Sequence, residues 1–211
     1  MQQQRICNSN FYKSPNLIGS GLSTQVYQAC QKNGQKDCSY IYKDYLPGAE
    51  ELEFTLIASK LGLAPPSQVI ECEDEKGRPT AYLIQKKMEG TLTQFYEKYA
   101  ESNPEYIEIA RKKVREIIRN LLVLAKIEHG DLWSDNILYE NVGTLENPTF
   151  KFYVIDFEEA RDLTNLLKDV SKISRTLAVA VRRGRNFYDV ITFKPTQQQQ
   201  FVKQMKLKPI F

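Results

Sequence analysis

Three patterns in the sequence predict an α+β fold, with a small antiparallel-sheet N-terminal lobe followed by a mainly helical C-terminal lobe. Apolar residues alternate with polar ones over Leu17–Gln28, Ser39–Tyr45, Ser67–Cys72 and Ala81–Lys86, and turn-forming residues separate these runs. A long stretch, Tyr106 to Ile127, then carries Ile107, Ala110, Val114, Ile117, Ile118, Leu121, Leu124 and Ala125 at helical spacing. Finally, two strand-like segments, one before His129 and one at Phe152–Ile155, flank a turn-rich loop. At 211 residues, 42% hydrophobic and 26% charged, the chain holds enough apolar material for one large domain or two small lobes, read as a single domain over residues 1–211 with lobes at 12–88 and 89–211.

Taken in order, Leu17–Gln28 reads LIGSGLSTQVYQ, a strand, a glycine turn and a return strand. Gly19 and Gly21 let backbone amides approach phosphate oxygens with no side chain between, and Val26 is placed to lie over a flat base. The next strand brings Lys43 after Tyr40, Ile41 and Tyr42. A helix predicted over Gly48–Leu61, stopped by Gly62 and Pro65-Pro66, offers Glu50, Glu51 and Glu53 as partners for that lysine. Glu53 is preferred because Leu56, Ile57 and Leu61 follow it at three, four and eight residues, with Glu50 one turn earlier as the fallback. Asn103-Pro104-Glu105 starts the long helix, whose basic residues Arg111, Lys112, Lys113, Arg115 and Arg119 are expected mostly to face solvent.

The chemistry concentrates in IEHGDLWSDNILYENVGTLENPTFKFYVIDF, residues 127–157. His129-Gly130-Asp131 is followed by Asn136 five residues after the aspartate, and Asp156-Phe157 ends the second apolar run. An attacking hydroxyl needs a carboxylate to orient it and take its proton, which suits Asp131. Metal ions on a triphosphate need hard oxygen ligands, which Asn136 and Asp156 supply.

The segment resembles the catalytic loop and metal-binding motif of the protein kinase-like superfamily, with His129, Asp131, Asn136, Asp156 and Phe157 on the motif positions. The resemblance covers about residues 12–182 and implies a two-lobed kinase-like fold with a reduced C-lobe, ATP between the lobes, and Mg2+. By the same resemblance Gly19 and Gly21 stand in the glycine-rich loop, Thr24 replacing its third glycine. Lys43 pairs the α- and β-phosphates, Gln85 stands at the entrance of the adenine pocket, and Lys86–Met88 form the hinge. Gly130 stands where ordinary protein kinases have Arg, Trp133 where they have Lys, and Glu158 where they have Gly. HGDLWSDN is therefore more similar to the small atypical kinases of the RIO and KEOPS-complex type, or to aminoglycoside and fructosamine kinases. A missing Arg also implies no switching by activation-loop phosphorylation.

Beyond Asp156 the pattern predicts a helix over Leu163–Val181, with Asp169 bracing the catalytic loop by resemblance, then the cluster Arg182-Arg183-Gly184-Arg185 as a solvated helix end. The leading expectation is ATP- and Mg2+-dependent phosphorylation of Ser or Thr in a protein. Small-molecule phosphorylation, favoured by Trp133 and the short C-lobe, is the alternative, and a partner-binding module with incidental ATPase activity is the third. A protein substrate or docking partner is expected. A net charge of +3 is too small to point to nucleic acid or a membrane surface. Cys7, Cys30, Cys38 and Cys72 lack zinc-type spacing and read as reduced thiols, with disulfides as the minority alternative. With no apolar leader at the N-terminus and no run of about 20 apolar residues, the expected location is cytoplasmic.

Overall fold

The computed structural model describes residues 4–20, 25–33, 35–74 and 76–163. Gly21 and Thr24 of the glycine turn, the expected helix beyond Leu163 with Asp169, and the Arg182–Arg185 cluster lie outside the described residues. The architecture is a mixed α/β one, with an antiparallel sheet and three α-helices among the described residues. The chain divides into two compact units after Lys87.

The first unit is a five-stranded antiparallel sheet in the order β1-β2-β3-β5-β4. Its strands are β1 (Phe11–Ser20), β2 (Gln25–Asn33), β3 (Gln35–Tyr45), β4 (Ser67–Glu73) and β5 (Pro79–Lys86), with helix α1 (Glu50–Lys60) between β3 and β4. Two-residue alternation gives the sheet two different faces. Tyr42, Tyr82 and Ile84 join Ile6, Phe11 and Ala29 in one core cluster. Ala81 and Leu83 point the other way and meet Leu52 of α1. Because Lys43 pairs with Leu83 in the β3–β5 ladder, its side chain shares the face that carries α1. The helix stops where the sequence predicts: Gly62, at φ +71°, donates to Ser59 O, and Leu63 N donates to Ala58 O, a left-handed glycine cap.

All four cysteines are paired in this unit, Cys7 with Cys72 and Cys30 with Cys38, at Cα separations of 6.1 and 3.9 Å. This corrects the reading of four reduced thiols, and the thiol-based argument for a cytosol-like compartment falls with it. The spacing rule fails because sheet pairing, rather than proximity along the chain, brings the sulfurs together: 65 residues separate Cys7 from Cys72. On loop-closure entropy, Cys72→Ser is expected to destabilise the oxidised protein by about 4 kcal/mol, against about 2.5 kcal/mol for Cys38→Ser, whose bridge closes a far shorter loop. Denaturant titration with and without a dithiol reductant measures both, and the ranking should vanish under reducing conditions.

The second unit gathers the strands β6 (Gly90–Thr91), β8 (Ile137–Asn141) and β9 (Phe150–Val154) into one sheet, in that order. Two further strands, β7 (Ile127–Glu128) and β10 (Arg161–Asp162), pair with each other. Helices α2 (Leu92–Tyr99) and α3 (Pro104–Asn120) complete the unit. Thr91 caps α2 by accepting from Gln94 N while the Gln94 side chain accepts from Thr91 N, a reciprocal capping box. Phe95 of α2 is fully buried, and its ring lies 4.8–5.3 Å from those of Tyr99, Tyr139, Phe150 and Phe152.

The long helix ends sooner than its apolar pattern suggests. Beyond Asn120 the chain makes a π turn, Leu121–Ala125, then Lys126 adopts a left-handed conformation at φ +59° and Ile127 enters β7. Ile107, Ala110 and Val114 form the buried stripe of α3, whereas Leu124 is more than half exposed. Lys112, Lys113, Arg115 and Arg119 face solvent as expected, but Arg111 is buried and pairs with Glu108. Among the described residues no helix is long and apolar enough to cross a membrane.

Candidate active site

In the first unit the observed partner of Lys43 is Glu51. Their side chains, each about one-tenth exposed, stand 3.8 Å apart, and Tyr45 Oη donates to the same Glu51 oxygen at 2.6 Å. The preference for Glu53 is corrected: Glu53 is exposed. The helix phase explains the error. Its buried residues are Leu52, Phe54, Thr55 and Ala58, so the face turned to the sheet runs one position off the stripe expected from Leu56, Ile57 and Leu61. Glu51, four residues before Thr55 and seven before Ala58, lies on that face. Glu51 was among the three acids the sequence offers, but not the one its apolar pattern selects.

Gly19 pairs with Val26 across the β1–β2 ladder, and a methyl group built on Gly19 would meet nothing within 4 Å. Among the described residues nothing blocks the approach to this part of the strand, and Val26 is half-buried. At the far end of β5, Gln85 is buried with its amide donating to Ser67 Oγ at 3.0 Å. Of the hinge amides, Lys86 N donates to Pro66 O and Lys87 N to Ser39 O. Met88 follows them, buried, as the first residue of the second unit.

The second unit holds the loop His129–Asn136 and the Asp156-Phe157 segment together by backbone and side-chain bonds. Ile137 pairs with Val154 in the β8–β9 ladder, and Ile155 N donates to Asn136 O at 3.0 Å. This bond brings Asn136 beside the residue that precedes Asp156. Asn136 Nδ2 donates to Asp131 O at 2.9 Å, and Asn136 N donates to Trp133 O at 3.1 Å. With its nitrogen held by that carbonyl, the Asn136 amide keeps its oxygen for another partner. Asp156, at φ +67°, turns the chain sharply after β9. Its neighbour Phe157 is buried, with its ring 5.0 Å from that of His129.

Three supports of the loop had no signal in the motif. Ser134 is buried, shares a 2.7 Å hydrogen bond with Thr93 Oγ1, and accepts from Leu92 N through its carbonyl. Thr91 Oγ1 donates to Asp135 at 3.2 Å. The Trp133 indole N–H donates to Asp131 Oδ1. The start of α2 thus braces the loop from one side.

Gly130 sits at φ +81°, and a Cβ there would come within 2.2 Å of Glu159 O. Both facts require glycine, because an L side chain resists that backbone region and the obstruction is backbone that cannot swing aside. The arginine that ordinary protein kinases carry at this position has no room here.

His129 is the sole histidine of the chain and is 5% exposed. Its Nε2 lies 2.9 Å from Ile155 O and acts as the donor in the neutral ring, while Nδ1 is buried with no partner among the described residues. Burial pushes its pKa down, outweighing the Ile155 carbonyl bond and the Asp156 and Asp131 charges, which push it up. A histidine neutral in the folded state and titrating near 6.5 when unfolded stabilises fully above that pH, and the contribution is lost as pH falls below it. Unfolding free energy should therefore decline on acidification from about pH 6.5, and the single histidine C2 proton should titrate below its random-coil position by NMR.

Among the described residues no three His, Cys, Asp or Glu side chains cluster as a metal cage. A magnesium nucleotide asks less of the protein, one or two oxygen ligands with the phosphates supplying others, and the Asn136 and Asp156 oxygens are of that kind. The lipopolysaccharide kinase (Kdo/WaaP) family matches residues 40–202, a span that includes Lys43, Asp131, Asn136 and Asp156. The chain belongs to this family. It is accordingly an ATP-dependent kinase of the protein kinase-like superfamily. The match begins inside β3, so the β1–β2 hairpin precedes the region shared with the family. No curated protein gives a significant match to the chain.

Proposed function

We propose that the protein transfers the γ-phosphoryl group of ATP to a sugar hydroxyl of a lipopolysaccharide. Family membership supplies the acceptor class. The observation that carries the chemistry is the loop in which Asn136 Nδ2 holds the Asp131 backbone while Ile155 N bonds Asn136 O, because it ties base and ligand residues into one rigid frame. In this reading Asp131 orients the acceptor hydroxyl and receives its proton. Asn136 and Asp156 offer their oxygens to magnesium, and Lys43, steadied by Glu51, meets the α- and β-phosphates. Magnesium-ATP, when bound, supplies the phosphoryl group and neutralises charge as it transfers. With the Lys86 and Lys87 amides engaged within the first unit, Met88 is the hinge residue that meets the adenine edge, and Gly19 and Val26 lie along the nucleotide.

Transfer to Ser or Thr of a protein, and a partner-binding role with slow ATP hydrolysis, become outcomes of one experiment. The purified chain is incubated with γ-labelled ATP and magnesium against lipopolysaccharide, an aminoglycoside panel and a protein lysate. Label on the lipopolysaccharide supports the proposal. Label on protein alone, or release of phosphate with no acceptor labelled, overturns it. Because Gly130 has replaced the phosphate-receiving arginine, prior phosphatase treatment should leave the activity unchanged.

A further inference from the structure

The side chains of Trp133 and Asp131 face each other across the one intervening residue, Leu132, the indole N–H donating to Asp131 Oδ1. A carboxylate that takes a proton from an approaching hydroxyl must present one oxygen along a fixed line, yet the terminal torsion of a free aspartate is broad and two-fold. A donor on Oδ1 removes that freedom. It leaves Oδ2, to which the described residues bring no hydrogen bond, as the oxygen available to an acceptor. The donor is itself anchored: Asn136 N bonds the Trp133 carbonyl at 3.1 Å, and the next residue, Ser134, is buried against Thr93. Asn136 Nδ2 meanwhile grips the Asp131 carbonyl at 2.9 Å. Backbone and side chain of the same aspartate are therefore each held by a bond of their own, and Asn136 supports both.

The geometry points to Trp133 as the positioning residue of phosphoryl transfer, selecting Oδ2 of Asp131 as the oxygen that receives the proton. The inference rests on the reading of Asp131 as the base. In the step, the acceptor O–H proton passes to Oδ2 while a bond forms from the acceptor oxygen to the γ-phosphorus. The bond from that phosphorus to the bridging oxygen breaks, and ADP leaves with the electron pair. Oδ1 stays hydrogen-bonded to the indole throughout. Where ordinary protein kinases place a lysine, this chain supplies a rigid donor without a charge.

Trp133 is the only tryptophan in the chain, so its indole proton gives a single NMR resonance. The experiment compares wild type, Trp133→Phe, Trp133→His and Asp131→Ala. That resonance should move in Asp131→Ala, which removes its acceptor. With γ-labelled magnesium-ATP and either lipopolysaccharide or water as acceptor, Trp133→Phe should lower kcat roughly 10- to 100-fold with KM for ATP unchanged. Trp133→His, which keeps a ring N–H, should recover part of the loss. An indole resonance indifferent to Asp131→Ala, or wild-type kcat in Trp133→Phe, overturns the inference, and the resonance decides it whether or not an acceptor turns over. Full turnover in Asp131→Ala would instead show that the base assignment has failed.

Discussion

Asp156→Asn is expected to reduce phosphoryl transfer on the order of 10²-fold or more while leaving the fold in place. The amide is the same size as the carboxylate but carries no charge, so the phosphates lose one unit of the electrostatic frame that holds magnesium against them. Among the described residues no ion pair asks for that charge. The left-handed turn at φ +67° is one that asparagine adopts as readily as aspartate, and no described residue donates to the Asp156 carboxylate. Steady-state turnover of labelled ATP, with circular dichroism as the control, separates the two effects. Substantial activity with a normal spectrum would remove Asp156 from the metal site.

Gly130→Ala should be the most damaging glycine-to-alanine change among the described residues. A left-handed backbone costs a non-glycine residue about 1–2 kcal/mol by itself. The clash with Glu159 O is additional, since a Cβ at 2.2 Å forces either Gly130 or the 157–160 turn to move. The turn is tied by Ala160 N donating to Phe157 O at 3.1 Å, and Phe157 in turn packs on His129. The strain therefore lands on the loop that carries Asp131. A loss of about 2–4 kcal/mol in unfolding free energy is expected, with turnover falling further than stability alone explains. Gly19→Ala, where a Cβ meets open space, is the matched control and should leave stability nearly unchanged.

The strands were legible in the sequence because their code is local. Tyr40, Tyr42 and Lys43 alternate as a half-buried strand must, and the turn residues around Gly77 and Gly62 mark where strand and helix stop. That the loop carrying Asp131 and Asn136 meets the segment ending in Asp156 was legible from their spacing, and the Ile155 N–Asn136 O bond joins the two. What the sequence concealed depends on contacts made far along the chain. The choice among Glu50, Glu51 and Glu53 turned on a rotation of α1 that Leu56 and Ile57, both only half-buried, do not report. The disulfides depend on which strands lie beside each other. Trp133 stood out as an unusual residue, but its bond to Asp131 is made only in the folded loop, which Asn136 also holds.

The π turn at Leu121–Ala125 acts as a shim between helix and loop. Its closing bond runs from Lys126 N to Leu121 O, five residues back, so the last turn of the helical segment holds one residue more than an α-helical turn would. Each α-helical residue advances the direction of exit by about 100°. Deleting a single residue from Leu122–Leu124 would let the segment close with regular α-helical bonding, and the chain would leave it aimed a quarter-turn or more away from β10, where Ile127 and Glu128 now pair with Asp162 and Arg161. The extra residue sets the angle at which His129 and Asp131 are delivered, so a change that makes the helix locally more regular would put the catalytic loop out of register.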